Sequence, residues 1–383
     1  MGVELENPKG SAAVEPTSAM YGANKMKLGI FCLNISGGMV MSEAAPNKLS
    51  WPDTVAVAQA ADEAGWEFLL SLGRWRGHGG RFNANAEQYE TFTWAAGMAA
   101  LTKRIHLFVT CHIPVYHPML AAKMTATIDA ISAGRVGLNV VAGNNAIEFG
   151  MFGIDQHAHD DRYAAAEEWL TIAERLWSED EELDWEGRFY TVRRGYLQPK
   201  PVQRPRPLIV SAGTSKVGLD FALTRADFSF QGGPDIEFMR GVAQRTDERA
   251  RELGVRGGRL TYAPVVLADT EKEAWRYFNW YVDEMGDIEA AKNQIRASLA
   301  GGSQTFTPEY HLQMARAKVA GWGGMPLVGT AEQITEKLVT YHELGYDGIA
   351  LGWVDMGQGL AEFNEKVVPL MVEAGLREPH PQA

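Results

Sequence analysis

Residues 105–143 read IHLFVTCHIPVYHPMLAAKMTATIDAISAGRVGLNVVAG. An apolar run (105–113) leads into a segment opened by Pro118, and a second apolar run (136–143) follows. Neither run alternates apolar with polar, as a half-solvated strand would. Each is apolar almost throughout, as expected of parallel strands buried on both faces. Pro118 suits the first turn of a helix, and Leu120, Met124, Ile128 and Ile131 are expected to share its apolar face. Strand, helix and parallel strand in so short a span make a βαβ unit.

The same unit recurs on either side. Upstream, 27–34 (KLGIFCLN) and 68–72 (FLLSL) read as strands, separated by a helix that Ser50, Pro52 and Asp53 would start as a capping box. A helix over about 87–102 leads into the quoted segment. Downstream, a helix over about 161–178 carries an apolar stripe of Trp169, Ile172, Ala173, Leu176 and Trp177. A small hairpin is expected around WEGRFYTV (185–192). Strands are then expected at 207–213, 227–233, 259–268 and 348–354. Thr330 and Gln333 form a second candidate capping box, and two joints echo each other, EAGWEFLLSL (63–72) and ELGYDGIALG (343–352). Eight buried strands alternating with helices close most simply as a (β/α)₈ TIM barrel, an α/β fold. A doubly wound open sheet is the alternative, but residues 34–38 only poorly imitate its glycine-rich turn. Residues 285–328, rich in Gly, Ala, Ser and Gln, break the rhythm and read as an insertion or lid after strand seven. Residues 1–25 read as a flexible N-terminal segment and 26–383 as one barrel domain.

Composition narrows the function. The chain has 383 residues, 46% of them hydrophobic, enough for one large core. A net charge of −12 without a long basic run argues against nucleic-acid and anionic-membrane partners. Cys32 and Cys111 are far apart and lack metal-ligand spacing, so no disulfide framework or metal site is expected. The N-terminus has no apolar signal core, and no segment approaches the length of a membrane helix. The chain therefore reads as soluble and cytoplasmic.

In a barrel the chemistry sits at the C-terminal strand ends. Those ends carry Asn34, Ser36, Ser71, Gly73, Arg74, Thr110, His112, Asn139, Gly143, Ser211, Gly213, Thr214, Ser215, Gln231, Gly232, Trp353 and Asp355. The set contains no paired carboxylates, no nucleophile with its base and no metal cluster, so a cofactor is expected to carry the reaction. Ser215 and Thr214, where strand five turns into a helix, offer an anion site or an ordinary N-cap. Arg162 and Tyr163, at the start of the long helix, are further candidate phosphate ligands.

The motifs LSLGRWRGHGG (70–80), AALTKRIHLFVT (99–110), AAKMTATIDAISAGRVGLNVVAG (121–143), EFGMFG (148–153), HDDRY (159–163) and SAGTSKVG (211–218) occur in one order. Together they resemble the bacterial-luciferase-like flavin-dependent monooxygenases, in the branch that includes the pyrimidine monooxygenases of uracil breakdown. The resemblance implies reduced FMN (FMNH₂) as a diffusible cofactor, O₂ as co-substrate, a separate NAD(P)H-dependent flavin reductase as partner and a homo-oligomer, dimer or tetramer. It further implies a flavin peroxide, at N5 or at C4a, that oxygenates a small heterocycle, amide or organosulfur compound. By the same resemblance Gly73, Arg74, Asn139, Glu148, Arg162, Tyr163, Gly213 and Ser215 contact the flavin. Leu70, Leu72, Thr110 and Asn139 form the oxygen pocket and are the catalytic candidates. Arg76, His112 and Asn144 are candidates for orienting substrate. Where the pyrimidine enzymes carry Gly-Trp after strand four, this chain has Gly143-Asn144, so the reaction class carries over further than the substrate. Two other readings stay open: a deazaflavin F420-dependent oxidoreductase on the same fold, and a non-catalytic flavin-binding protein.

Overall fold

The structure, a computed structural model, describes residues 18–143, 145–299 and 308–380. Among the described residues eleven strands occur in chain order: β1 Lys27–Phe31, β2 Phe68–Leu70, β3 His106–His112, β4 Val136–Val141, β5 Leu183–Glu186, β6 Thr191–Gly195, β7 Leu208–Ser211, β8 Phe228–Phe230, β9 Gly258–Leu267, β10 Leu327–Gly329 and β11 Gly348–Gly352. Eight of them form the parallel order β9-β11-β1-β2-β3-β4-β7-β8, and β8 pairs with β9 to close the ring. This is the expected (β/α)₈ barrel. β5 and β6 make the expected antiparallel hairpin outside it.

The interior is filled by rings set against glycines. Phe31, Phe68, Leu70, Phe108, Leu208, Val210, Phe228, Phe230, Leu260 and Ala350 form one buried cluster inside the ring. A Cβ on Gly29 would lie 2.3 Å from the Phe68 ring, one on Gly137 2.7 Å from Phe108, and one on Gly258 2.3 Å from Phe228. Large and small residues on neighbouring strands therefore interlock and leave no room for a larger side chain. The alternate residues, Leu69, Leu107, Val109, Leu138, Ile209 and Ile349 among them, face outward into the larger core beneath the helices.

The echoing joints have a physical basis. Gly65 and Gly345 each take a positive φ at the end of a helix, 75° and 82°. The buried aromatics Trp66 and Tyr346 follow. The next residue is an acid whose carboxylate accepts the N–H of the second residue of the neighbouring strand: Leu28 N donates to Glu67 at 2.8 Å and Arg259 N to Asp347 at 2.7 Å. Asp227 does the same for Ile209 N, at 2.7 Å. Glu67 is also paired with Arg377 at 2.8 Å, and both side chains are 4% exposed.

Several expectations need correction. The barrel strands end earlier than their apolar runs, because the residues beyond them leave the ladder to build loops: β1 stops at Phe31 and β2 at Leu70. On the helix Pro118–Ser132, Ala121, Ala122, Thr125, Ala126 and Ile128 are buried, while Leu120 and Ile131 are 53% and 48% exposed. Close packing on the barrel selects the small residues there, not the large ones. The segment 285–328, expected as an insertion or lid, follows the seventh barrel strand, and its described part is largely helical. It contains the helices Ile288–Leu299 and Pro308–Gly321 and then β10, which pairs with β9. Its Ala290, Ala291, Ala315 and Val319 pack on Val40, Met41 and Phe82 from the loops after β1 and β2. Residues 18–24, expected within a flexible segment, are seated: Ser18 Oγ lies 2.9 Å from His106 Nδ1, Met20 is buried, and Asn24 Nδ2 donates to Glu67 at 2.5 Å.

Removing one partner from a buried, hydrogen-bonded ion pair is strongly destabilising. Glu67→Ala strands Arg377 and the Leu28 N–H together and is expected to lower stability by about 3–5 kcal/mol. Urea denaturation checks this, with a reduced midpoint at unchanged slope as the expected result.

Candidate functional site

At the C-terminal strand ends the polar residues divide into two kinds. Some are consumed by structure. Asn34 clamps the chain after β2, accepting from Leu72 N at 2.8 Å and donating to Leu72 O at 2.9 Å. Ser36 Oγ accepts from Glu87 N, Gln231 Nε2 donates to Thr246, and Asp355 caps the helix Met356–Lys366. Others keep an unmet hydrogen-bonding atom, and these gather on β2, β3, β4 and the segments just after them.

Thr110 and Asn139 stand opposite each other in the β3–β4 register. Thr110 Oγ1 donates to Ser71 O, so it can only accept from its neighbour, and Asn139 Nδ2 donates to it at 3.0 Å. That fixes the amide orientation. Asn139 Oδ1 is then a buried acceptor with no donor among the described residues. Leu70 is fully buried beside this pair in the barrel interior, and Leu72 packs on the same cluster. Gly73 lies directly above: a Cβ there would be 3.1 Å from Thr110 Cγ2 and 3.4 Å from His112 Cε1.

Glu148, 1% exposed, fixes the loop after β2. Its carboxylate accepts from Trp75 N at 3.1 Å and from Arg74 Nη1 at 3.3 Å. Asn145 caps the short helix that carries Glu148, accepting from its N–H at 3.3 Å. Arg74 Nε remains buried without an acceptor. Burial, with Arg74 nearby, pushes the His112 imidazole down to about 3, so His112 is neutral at physiological pH.

A second group lies beside the first. Arg162 Nη1 donates to Gly143 O at 2.6 Å, and its Nε is buried and unpaired. Gly143 has φ +94°, and a Cβ there would strike the Phe149 ring at 2.5 Å. Phe149 in turn meets the His112 ring edge-on at 6.2 Å, which joins the two groups. Tyr163 stands over the start of the helix Lys216–Arg225, so that a Cβ on Gly218 would be 2.4 Å from its hydroxyl. Gly213 and Gly218 meet backbone to backbone, a Cβ on Gly213 falling 2.4 Å from Gly218 O. Burial raises the Tyr163 phenol, and a hydrogen bond with Ser215 opposes it. Ser215 Oγ caps the helix, accepting from Gly218 N at 3.1 Å. The result is a cradle of small residues and N–H groups flanked by Tyr163.

Of the substrate candidates, His112 lies inside this site, Arg76 is exposed on the loop after β2, and Asn144 lies outside the described residues. Among the described residues no group of three or more His, Cys, Asp or Glu could hold a metal ion. No described helix is long and apolar enough to cross a membrane. Sequence reading singled out neither Phe149 nor Gly218, although both fall within motifs quoted above. Their signal is steric, the space a neighbour denies, and emerges only with the fold.

Comparison with known proteins identifies relatives. The family model described as luciferase-like monooxygenase matches residues 26–348. The pyrimidine monooxygenase RutA of Acinetobacter baylyi is 32% identical over 358 residues, covering 90% of this chain and 95% of that one. The FMNH₂-dependent dimethylsulfone monooxygenase of Pseudomonas putida is 30% identical over 365 residues, covering 91% and 96%. The crystal structure of long-chain alkane monooxygenase (LadA) superposes with a TM-score of 0.80 at 20% identity over 94% of each chain, a likeness of fold alone.

The neutral imidazoles carry a pH signature. His78, His106 and His112 are each pushed down to about 3, chiefly by burial. In the unfolded chain they take up protons below pH ~6.5, so between pH ~6.5 and ~3 the unfolded state binds more protons and stability falls as pH falls. Each imidazole contributes up to about 1.4 kcal/mol per pH unit in that window. The urea midpoint should therefore drop between pH 7 and pH 5, with a smaller drop in His106→Gln. An equal drop in both proteins would show that His106 is not a source of the slope.

Proposed function

The chain belongs to the luciferase-like monooxygenase family, and from that premise we propose that it oxygenates a small organic substrate with reduced FMN and O₂, the reduced FMN coming from a separate NAD(P)H-dependent flavin reductase. The observation that carries the reading is the pair of unmet groups at the barrel mouth. Asn139 Oδ1 and Arg162 Nε are buried polar atoms lacking partners among the described residues, next to a small-residue cradle at a helix N-terminus. A large planar cofactor with an anionic tail fits those needs.

Reduced FMN, when bound, supplies the two electrons with which O₂ is activated, one oxygen atom passing to the substrate and the other leaving as water. The chain's own residues do the rest. Arg162, Tyr163, Gly213 and Ser215 would hold the phosphate end. Gly73 and Arg74 would position the ring system, with Glu148 acting through Arg74 and the Trp75 backbone. Leu70 and Leu72 exclude water, which protects the activated oxygen from loss as peroxide. Thr110 and Asn139 form a hydrogen-bonded pair at the site, and the Asn139 Nδ2 hydrogen that Thr110 does not take would orient oxygen there. The pyrimidine and dimethylsulfone that the relatives are named for support a small polar organic molecule as substrate.

Anaerobic titration with reduced FMN, followed by tryptophan fluorescence, is expected to show saturable binding tighter than for oxidised FMN. Absence of binding overturns the reading. With a reductase present, failure to consume oxygen would favour an F420-dependent oxidoreductase instead. Arg162→Ala should weaken reduced-FMN binding about tenfold or more, the loss of a charge-assisted hydrogen bond. Asn139→Ala should lower substrate oxygenation by roughly 10²-fold while changing reduced-FMN affinity much less. Equal losses would make Asn139 a flavin ligand only.

A further inference from the structure

One cluster at the barrel mouth enters the scheme above only through Arg74. The helix Pro308–Gly321 ends in Trp322, whose φ of +58° is a left-handed conformation that a bulky residue adopts only under constraint. Trp322 packs on the barrel-interior cluster together with Leu72 and Tyr262. Its carbonyl accepts from the Tyr262 hydroxyl at 3.2 Å and from Lys318 Nζ at 2.8 Å. Three cationic or cation-capable side chains converge on the indole. The Arg74 guanidinium carbon is 5.1 Å from the ring centroid, Lys318 Nζ is 5.7 Å away, and the His78 ring meets it edge-on at 5.9 Å.

These groups lack what their charges require. Among the described residues Lys318 forms no ion pair, and Arg74 has only Glu148, at 3.3 Å. Among the described residues Arg74 Nε, Trp322 Nε1 and His78 Nε2 are buried without hydrogen-bond partners, and the first two can only donate. The cations also disfavour one another: burial and Arg74 push the Lys318 ammonium down to about 8, and burial, Arg74 and Lys318 push His78 down to about 3. A largely buried cluster of donors and cations whose one described carboxylate is Glu148 is costly unless a ligand supplies further acceptors. A helix C-terminus accounts for Lys318 bonding to the Trp322 carbonyl. It does not account for Arg74, His78 and the indole N–H gathering at the same place.

We propose that Arg74, His78, Lys318 and Trp322 form a substrate subsite for an oxyanion, a carboxylate or sulfonate borne by a small organic molecule whose body lies against the indole. The proposal rests on the monooxygenase reading and adds a substrate class to it: the molecule oxygenated is an organic acid. Arg74 then serves two neighbours, ordering the cofactor side through Glu148 and the substrate side through Nε. Lys318 and Trp322, which come from a segment distant in sequence, set specificity.

The test uses the full chain, saturated anaerobically with reduced FMN, and four probes: benzoate and methanesulfonate, with benzamide and dimethyl sulfone as their uncharged counterparts. Binding is read by calorimetry. The acids are expected to bind at least about tenfold more tightly than the neutral probes, as charge-assisted hydrogen bonds predict. Lys318→Met should abolish that preference while leaving reduced-FMN affinity unchanged, and Lys318→Arg should retain it. Should Lys318→Met fail to fold, Trp322→Phe supplies the second variant; it keeps the ring, removes the indole N–H and should reduce the preference. Normal reduced-FMN binding with no preference for acids overturns the subsite and leaves the monooxygenase reading intact. Equal loss of reduced FMN and of acids in Lys318→Met assigns the cluster to the cofactor and also overturns it. Failure of reduced FMN to bind the unmodified chain overturns the underlying reading, and the subsite with it.

Discussion

A parallel barrel must satisfy the backbone N–H groups at the start of its strands, and at β1, β7 and β9 a carboxylate takes part in doing so. Glu67, Asp227 and Asp347 each sit one residue before a strand and accept the N–H of the second residue of the strand beside it, those of Leu28, Ile209 and Arg259. A buried backbone donor left unpaired would cost as much as a lost hydrogen bond, so each acid ties two neighbouring strands together at the end of the barrel away from the site. The ties oppose slippage. A slip of one residue in β3 or β4 would exchange inner for outer faces, turning Thr110 and Asn139 outward and drawing Cys111 and Val140 inward.

The site inherits its order from that register. Because Thr110 faces Asn139 across β3 and β4, and Thr110 Oγ1 already donates to Ser71 O, the Asn139 amide has one orientation open to it. Glu148 extends the order to the loop after β2, holding both Arg74 and the Trp75 backbone. Positions set by rigid strands and buried hydrogen bonds are the kind of pre-organisation that electrostatic catalysis requires, because little has to reorganise when charge develops.

The sequence made the barrel readable because strands buried on both faces are apolar throughout and helix stops are marked by glycine, as at Gly65 and Gly345. It misled where packing distance outweighs hydrophobicity: Ala121, Ala122 and Ala126 face the barrel where Leu120 and Ile131 were expected. At 285–328 the broken rhythm marked an insertion but not the helices within it, whose alanine-rich faces resemble loop composition. The site was readable only through motif resemblance. Residue type alone could not separate Asn34, bound to Leu72 from 38 positions away, from Asn139, whose Oδ1 is unmet. The pairing that distinguishes them belongs to tertiary structure. The same holds for Lys318 and Trp322, whose meeting with Arg74 and His78 joins segments far apart in the chain.

The barrel mouth concentrates features that do nothing for folding. Trp322 occupies a left-handed conformation, Lys318 lacks a carboxylate among the described residues, and three buried nitrogens lack acceptors. Each of these is unfavourable, on the order of 1–3 kcal/mol for the backbone conformation and a similar amount for each unsatisfied donor. The remainder of the barrel shows the opposite tendency, with rings fitted against glycines and acids matched to N–H groups. Unmet polar atoms occur elsewhere too, Trp94 Nε1, Thr261 Oγ1 and Tyr341 Oη among them, but at the mouth they coincide with a cation that has no carboxylate among the described residues, and a missing binding partner accounts for that coincidence. The missing partner must be rich in acceptors and small enough to sit beside the Thr110–Asn139 pair. Both the cofactor and an acidic substrate meet that description, one on each side of Arg74.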